Sequence, residues 1–210
     1  MEASPQRWTR MPTTERSSKR TLLFGGSFDP VHMGHMHLMK MARKFTSYER
    51  IILMVARISN FKQESRPASG QDRIAMLKLA VDEFLSENPD FPIEIVISPM
   101  EIERSGVSYT YDTVKAVYDS FDIEGKLGFM MGDDLLPSLH KWYRYEELKK
   151  IVTFVCFTRD GNKVVKDSDA DIFLIESPIV TASSTDIRNG DYSMLPSSVR
   201  AYIEKHNLYR

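Results

Sequence analysis

F-G-G-S-F-D-P-V-H-M-G-H, residues 24–35, packs a strand end, a glycine turn and a helix start into one short run. An apolar stretch, Thr21 to Phe24, delivers the chain into Gly25 and Gly26. Two adjacent glycines allow a tight turn and let backbone approach a ligand with no Cβ in the way. Pro30 stiffens the turn. His32 and His35 follow, three apart, with Gly34 between them. A helix starting near Gly34 points both imidazoles toward the space above the strand end. Strand, glycine turn and helix N-terminus with donors aimed at one point make a phosphate site.

Outward from this run, apolar stretches of strand length alternate with helical patterns. Strands are expected at Thr21–Gly25, Ile51–Val55, Ile93–Ile97, Leu127–Met131, Ile151–Phe157 and Ile172–Ile175. Gly34–Phe45 reads as a helix with Leu38, Met41, Ala42 and Phe45 on one face, and Gln71–Leu85 as a second with Ile74, Leu77, Val81, Phe84 and Leu85 aligned. Tyr111–Phe121 is a third, and Pro196 opens a last one through about His206. Strands alternating with helices predict an α/β fold, a Rossmann-like parallel sheet with helices on both faces. Sites in such sheets gather at the carboxyl ends of strands.

The opening run resembles the G-G-[ST]-F-D-P-x-H-x-G-H signature of the nucleotidyltransferase superfamily, whose members transfer a nucleotidyl group from a nucleoside triphosphate and release pyrophosphate. T-A-S-S-T-D-I-R, residues 181–188, resembles that superfamily's [IV]-S-S-T-x-I-R segment. Ser184 and Thr185 sit where a helix N-cap would be, and Arg188, one turn on, can fork two phosphate oxygens. E-R-S-G-V-S-Y-T-Y-D-T (103–113) and G-D-D-L-L-P-S-L-H-K-W-Y-R-Y-E-E-L (132–148) resemble nicotinate mononucleotide adenylyltransferases, which show S-Y-T-x-D-T and G-x-D-x-L-x-x-L-H-x-W. The resemblance covers residues 21–210 and implies ATP and nicotinate mononucleotide as substrates, with Mg²⁺ bridging the triphosphate oxygens.

Position by position, the resemblance implies that His32, His35 and Arg188 are catalytic. It places Gly25, Gly26, Ser27, Phe28 and Gly34 on ATP, together with Ser184 and Thr185. It gives Trp142 to stacking on the pyridine ring, the backbone near Thr110 and Tyr143 to the carboxylate, and Asp134 to a ribose. A flat apolar ring suits an aromatic face and a carboxylate suits amide donors. After the second strand the family usually has a proline-bearing loop ending in P-H-K. This chain reads V-A-R-I-S-N-F-K, residues 55–62, in which Lys62 still offers a positive charge to a phosphate.

Other residues carry plainer readings. Asp29 and Asp112 fit helix caps or turn braces. His140 fits the family pattern or a structural place, and His37 and His206 read as solvent-facing or core. The triplet His32, His35 and His37 lacks a Cys or Glu partner at zinc-like spacing, which argues against a structural metal. Cys156, the single cysteine, lies in an apolar run and reads as a buried hydrophobe. A lone thiol excludes an internal disulfide and fits a reducing cytoplasm.

Net charge is −1, so nothing global draws the chain to nucleic acid or an anionic membrane. Residues 1–20 carry five basic and two acidic side chains with few aliphatics, and read as a disordered extension ahead of a nucleotidyltransferase domain over 21–210. No apolar run reaches the length of a membrane span. Oligomerisation stays open. So do two rival readings: an adenylyltransferase for nicotinamide mononucleotide or phosphopantetheine, and a non-catalytic nucleotide sensor.

Overall fold

The computed structural model describes residues 17–57, 67–158, 169–178 and 182–209. β1 (Thr21–Gly26) is buried through Phe24 and opens to solvent at Gly25. α1 (Met33–Phe45), β2 (Arg50–Val55), α2 (Gly70–Glu87) and β3 (Glu94–Ser98) follow in alternation. The second half runs through α3 (Met100–Glu103), α4 (Thr110–Ser120), β4 (Leu127–Gly132), a 3-10 helix over Asp133–Lys141, α5 (Tyr145–Ile151) and β5 (Val152–Thr158). It closes with β6 (Ile172–Glu176), α6 (Ser184–Arg188) and α7 (Ser197–His206).

The six strands are all parallel, in the order β3-β2-β1-β4-β5-β6. The chain winds outward from β1 to β3, then crosses back to lay β4 against the other edge of β1. Winding therefore reverses between β1 and β4, and the loops leaving these two strands diverge. In open parallel sheets that divergence leaves a crevice above the strand ends.

Alternate side chains of each strand face opposite ways, so the sheet carries two cores. Leu22, Phe24, Leu53 and Val155 pack with α1, α2 and α7 through Met39, Leu77, Val199 and Ile203. Leu23, Ile52, Phe154 and Cys156 pack on the other face with Val117 of α4 and Leu148 of α5. Helices thus cover both faces, as the alternation implies. Contacts with the sheet edge reach back to Lys19, which bridges Ile123 and meets Glu94 at 3.0 Å. Among the described residues no helix is long and apolar enough to cross a membrane.

The stripe assigned to α1 needs correction. Met36, Met39 and Ala42 are its buried residues together with Met41, whereas Phe45 is 44% exposed and Leu38 only partly covered. Methionine or leucine stands at positions 33, 36, 38, 39 and 41, so periodicity alone could not choose the inner face. On α2, Leu77, Val81 and Phe84 are buried as expected, but Leu85 is 36% exposed.

Candidate active site

The loop after β1 is held by its backbone. Phe28 adopts a left-handed conformation (φ 46°), and its ring folds into the core, 5.5 Å from Phe24 and 4.9 Å from His35. With its ring buried, Phe28 presents only backbone to a ligand. Arg73 reaches in from α2 and donates to the carbonyls of Ser27 (2.7 Å) and Ala56 (2.8 Å). The Asp29 carboxylate accepts from the Ala68 amide at 3.0 Å and the Tyr209 hydroxyl at 2.7 Å, so Asp29 is a brace, as expected.

His32 is the N-cap of α1, and His35 sits in its first turn. The two rings lie 3.8 Å apart, and the His32 amide donates to Nδ1 of His35 at 3.1 Å. An Nδ1 that accepts leaves the proton of a neutral ring on Nε2, so His35 presents an Nε2–H donor. Nδ1 of His32 is buried with no partner among the described residues. Gly34 is required by this packing: a Cβ there would stand 3.0 Å from the His32 ring and 3.2 Å from Ala182.

Burial holds both imidazoles neutral, His32 down to about 4 and His35 well below its usual value, with the neighbouring His32 adding to the depression of His35. The unfolded chain protonates these rings near 6.5, so acid favours unfolding. Stability falls as pH drops below about 6.5 and the loss from His32 levels off below about 4, reaching about 3 kcal/mol there. Urea unfolding midpoints at pH 7 and pH 4.5 check this. His32→Gln should shrink the difference between them; an unchanged difference would refute the assignment.

The second motif docks on the same loop. Ser184 Oγ donates to the Pro30 carbonyl at 2.9 Å, and Arg188 donates to the Asp29 carbonyl at 2.7 Å. Two expectations change here. The N-cap of α6 is Ser183, which accepts from the Thr185 and Asp186 amides; Ser184 and Thr185 lie inside the helix. Arg188 forks protein oxygens, the Asp29 carbonyl and Thr185 Oγ (3.2 Å), and it does not line the cleft. Short α6 lies against the loop, so its arginine reaches the Asp29 carbonyl. His32, His35 and Arg188 nevertheless share one neighbourhood, joined through residues 29–32.

A cleft of about 510 Å³ opens where β1 and β4 diverge. Gly25, His32, Gly34 and His35 line it from the β1 side, with Met131 and Gly132 at the end of β4. Ser183 and Ser184 line it from α6. A Cβ on Gly25 would meet nothing within 4 Å, so the bare backbone there faces open space. His37 also lines the cleft and meets Ser177 Oγ at 3.1 Å, more than a solvent-facing or core role. Among the described residues no group of three or more His, Cys, Asp or Glu side chains could hold a metal ion.

Of the residues given to the mononucleotide, Trp142 and Tyr143 lie among aromatic side chains, and Trp142 reaches the cleft through Phe129. Thr110 begins α4, and the ring of its neighbour Tyr109 packs at a tilt against Tyr143, 4.5 Å between centroids. Arg144, left-handed at φ 53°, lies over the Tyr111 ring at 4.3 Å. Trp142 closes the 3-10 helix, half-buried against Phe129 (5.6 Å) and Phe154 (6.5 Å). Phe129 also lines the cleft and so links the two regions. Asp134 is exposed in the first turn of the 3-10 helix, its carboxylate where a Cβ on Gly132 would collide with it. Lys62 lies outside the described residues.

The remaining histidines and the cysteine are elsewhere or inert. His140 is exposed, and His206 stacks on Tyr202 at 4.1 Å. Cys156 is fully buried, which pushes its thiol up to about 12 and removes it as a nucleophile. Arg73 and Tyr209 were not anticipated, since a residue bonded to a remote part of the chain carries no local signature.

Comparison with known proteins agrees with this geometry. The cytidylyltransferase-like family model matches residues 23–190. A Listeria innocua protein named as a probable nicotinate-nucleotide adenylyltransferase is 34% identical over 190 residues, 89% of this chain and 95% of the relative. The chain belongs to the nicotinate-nucleotide adenylyltransferase family. A Treponema pallidum relative of the same name is also 34% identical, over 208 residues, covering 90% of this chain and 98% of its own. The nicotinic acid mononucleotide adenylyltransferase of Plasmodium falciparum, solved with NaAD, superposes with a TM-score of 0.68. It is 22% identical and covers 91% of this chain and 97% of its own, which shows the family's fold.

Proposed function

We propose that the protein transfers the adenylyl group of ATP to nicotinate mononucleotide, giving nicotinate adenine dinucleotide and pyrophosphate, a step of NAD biosynthesis. The observation that carries this reading is the His32–His35 pair capping α1 at the rim of a cleft, beside bare glycine backbone. The family names of the relatives support the choice of acceptor. The catalytic unit of this reading is residues 21–210, to which Lys19 and Arg20 are tied through Ile123, Glu94 and Glu49. A buried free thiol suits a reducing cytoplasm.

The attacking group is the phosphate of the mononucleotide, already ionised at neutral pH, so no general base is needed. Its oxygen bonds to the α-phosphorus of ATP as the bond from that phosphorus to the bridging oxygen breaks, and pyrophosphate leaves with the electron pair. The barrier lies in bringing two anions together and aligning them in line. The Nε2–H of His35 and the Gly34 amide at the head of α1 supply donors where charge grows on the leaving oxygens, the Met33 amide being held by the Met194 carbonyl. Neutral rings suit an unliganded site; a triphosphate placed against them raises their proton affinity and strengthens the same bonds. Arg188 holds the loop and joins the phosphates by exchanging its protein partners for them. Mg²⁺ would enter with ATP and neutralise charge on the triphosphate; among the described residues lining the cleft no carboxylate would hold it.

Trp142 offers the pyridine ring an aromatic face, and the amides at Thr110 and Tyr143 take its carboxylate. Asp134 takes a ribose, and Lys62 adds charge near a phosphate. A pyrophosphate-release assay with ATP and each acceptor tests the whole reading. Turnover is expected with nicotinate mononucleotide and weaker turnover with the amide. Faster turnover with nicotinamide mononucleotide or phosphopantetheine would overturn the acceptor, and no release with any would leave a nucleotide sensor.

A further inference from the structure

Three remote parts of the chain meet on Asp29, which is 4% exposed. Its carbonyl takes Arg188, and one carboxylate oxygen takes both the Ala68 amide and the Tyr209 hydroxyl. Tyr209 stands 180 positions away in sequence. Burial and the Asp29 carboxylate raise its phenol far above the usual range, so the hydroxyl is a constant donor.

The delivery of that hydroxyl is built with care. α7 lies clamped on α2 at two points. Glu83 accepts from the amides of Ser197 (2.9 Å) and Ser198 (2.8 Å), and Asp72 accepts from Tyr202 Oη at 2.9 Å. Beyond α7 the backbone turns back through two left-handed residues, Asn207 (φ 52°) and Tyr209 (φ 61°). Non-glycine residues in that region cost of order 1 kcal/mol each and persist where surrounding contacts hold them. Here the contact held is Tyr209 on Asp29, three residues before His32.

We propose that Tyr209 is a positioning residue for the nucleotide site: its hydroxyl pins the Asp29 carboxylate and thereby sets where residues 29–32 carry His32. This rests on the reaction proposed above. Misplacing a reacting group by about 1 Å can cost about a hundredfold in rate, so a loosened loop is felt at the chemical step.

Tyr209→Phe keeps the ring and removes the bond. It is expected to lower kcat about tenfold with the Michaelis constant for nicotinate mononucleotide within about twofold of wild type. Because Tyr209 acts through Asp29, the double variant with Asp29→Asn is expected to be no slower than Asp29→Asn alone. A kcat within twofold of wild type, or a double variant showing the product of both losses, overturns the role. Amide exchange of Tyr209→Phe gives a readout free of catalysis and of the folding of Asp29→Asn. Exchange is expected to quicken over residues 26–36 and stay unchanged in α4 and α5. A uniform rise, or none over 26–36, overturns the proposal. If wild type releases no pyrophosphate, the reaction assignment fails and the exchange result still decides the role of Tyr209.

Discussion

His35→Ala will lower kcat by about a hundred- to a thousandfold while the protein stays folded. The magnitude follows from what the side chain does. His35 is neutral, its Nδ1 is occupied by the His32 amide, and its remaining Nε2–H is a preset donor at the cleft. In a water-poor site, one such donor aimed at developing charge typically contributes a few kcal/mol to the transition state. Alanine also frees the His32 amide and loosens the N-cap, so a fall with alanine alone would not separate chemistry from local order. His35→Asn makes that separation: its side-chain oxygen can replace Nδ1 as acceptor, while its shorter amide group falls short of the position of Nε2. Both variants are expected to lose rate to a similar degree, with thermal midpoints near wild type for Asn. Steady-state pyrophosphate release checks this, and a wild-type rate in either variant would remove His35 from the mechanism.

The pair is also where sequence reading went furthest. Glycines, proline and histidines in a fixed local order dictate a turn and a helix start, and the structure places His32 as the N-cap with Gly34 under its ring. Strand runs were equally legible: the buried inner strands are continuous apolar segments, and the edge strands β3 and β6 keep apolar runs although partly exposed. Less legible was whatever depends on partners far along the chain. Arg73 reads as an ordinary helix arginine until its amino group is found on the Ser27 and Ala56 carbonyls. Arg188 stands out by its motif, but its bonds to the Asp29 carbonyl and Thr185 Oγ depend on how α6 docks. The 3-10 helix at Asp133–Lys141 and the short α5 escaped notice because they are too short to show a period, and Pro137 interrupts the first. Ser183 rather than Ser184 as cap is a shift of one residue, within the usual uncertainty of helix ends.

Trp142→Ala will raise the Michaelis constant for nicotinate mononucleotide about tenfold and leave that for ATP within about twofold. Phe129 and Phe154 both stand nearly perpendicular to the indole, at 84° and 82°, so among the described residues no ring lies parallel on it. An offset-stacked aromatic pair contributes about 0.5–1.5 kcal/mol beyond the area it buries, and the buried area of the pyridine ring supplies the remainder. The same perpendicular contacts create a complication, since alanine also opens a hole beside Phe154 in the second core. Removing a fully buried large aromatic can cost about 3–5 kcal/mol of stability, and the half-buried indole costs less than that. Trp142→Leu fills much of that hole without an aromatic face, whereas Trp142→Phe retains one. If stacking is the function, leucine behaves like alanine toward the mononucleotide and phenylalanine recovers most of the affinity, whatever their stabilities. If the indole is only a core side chain, the Michaelis constants for both substrates move together and leucine rescues as well as phenylalanine. The ratio of the two constants across the three variants is therefore the measurement, and equal movement of both would take the stacking role away from Trp142.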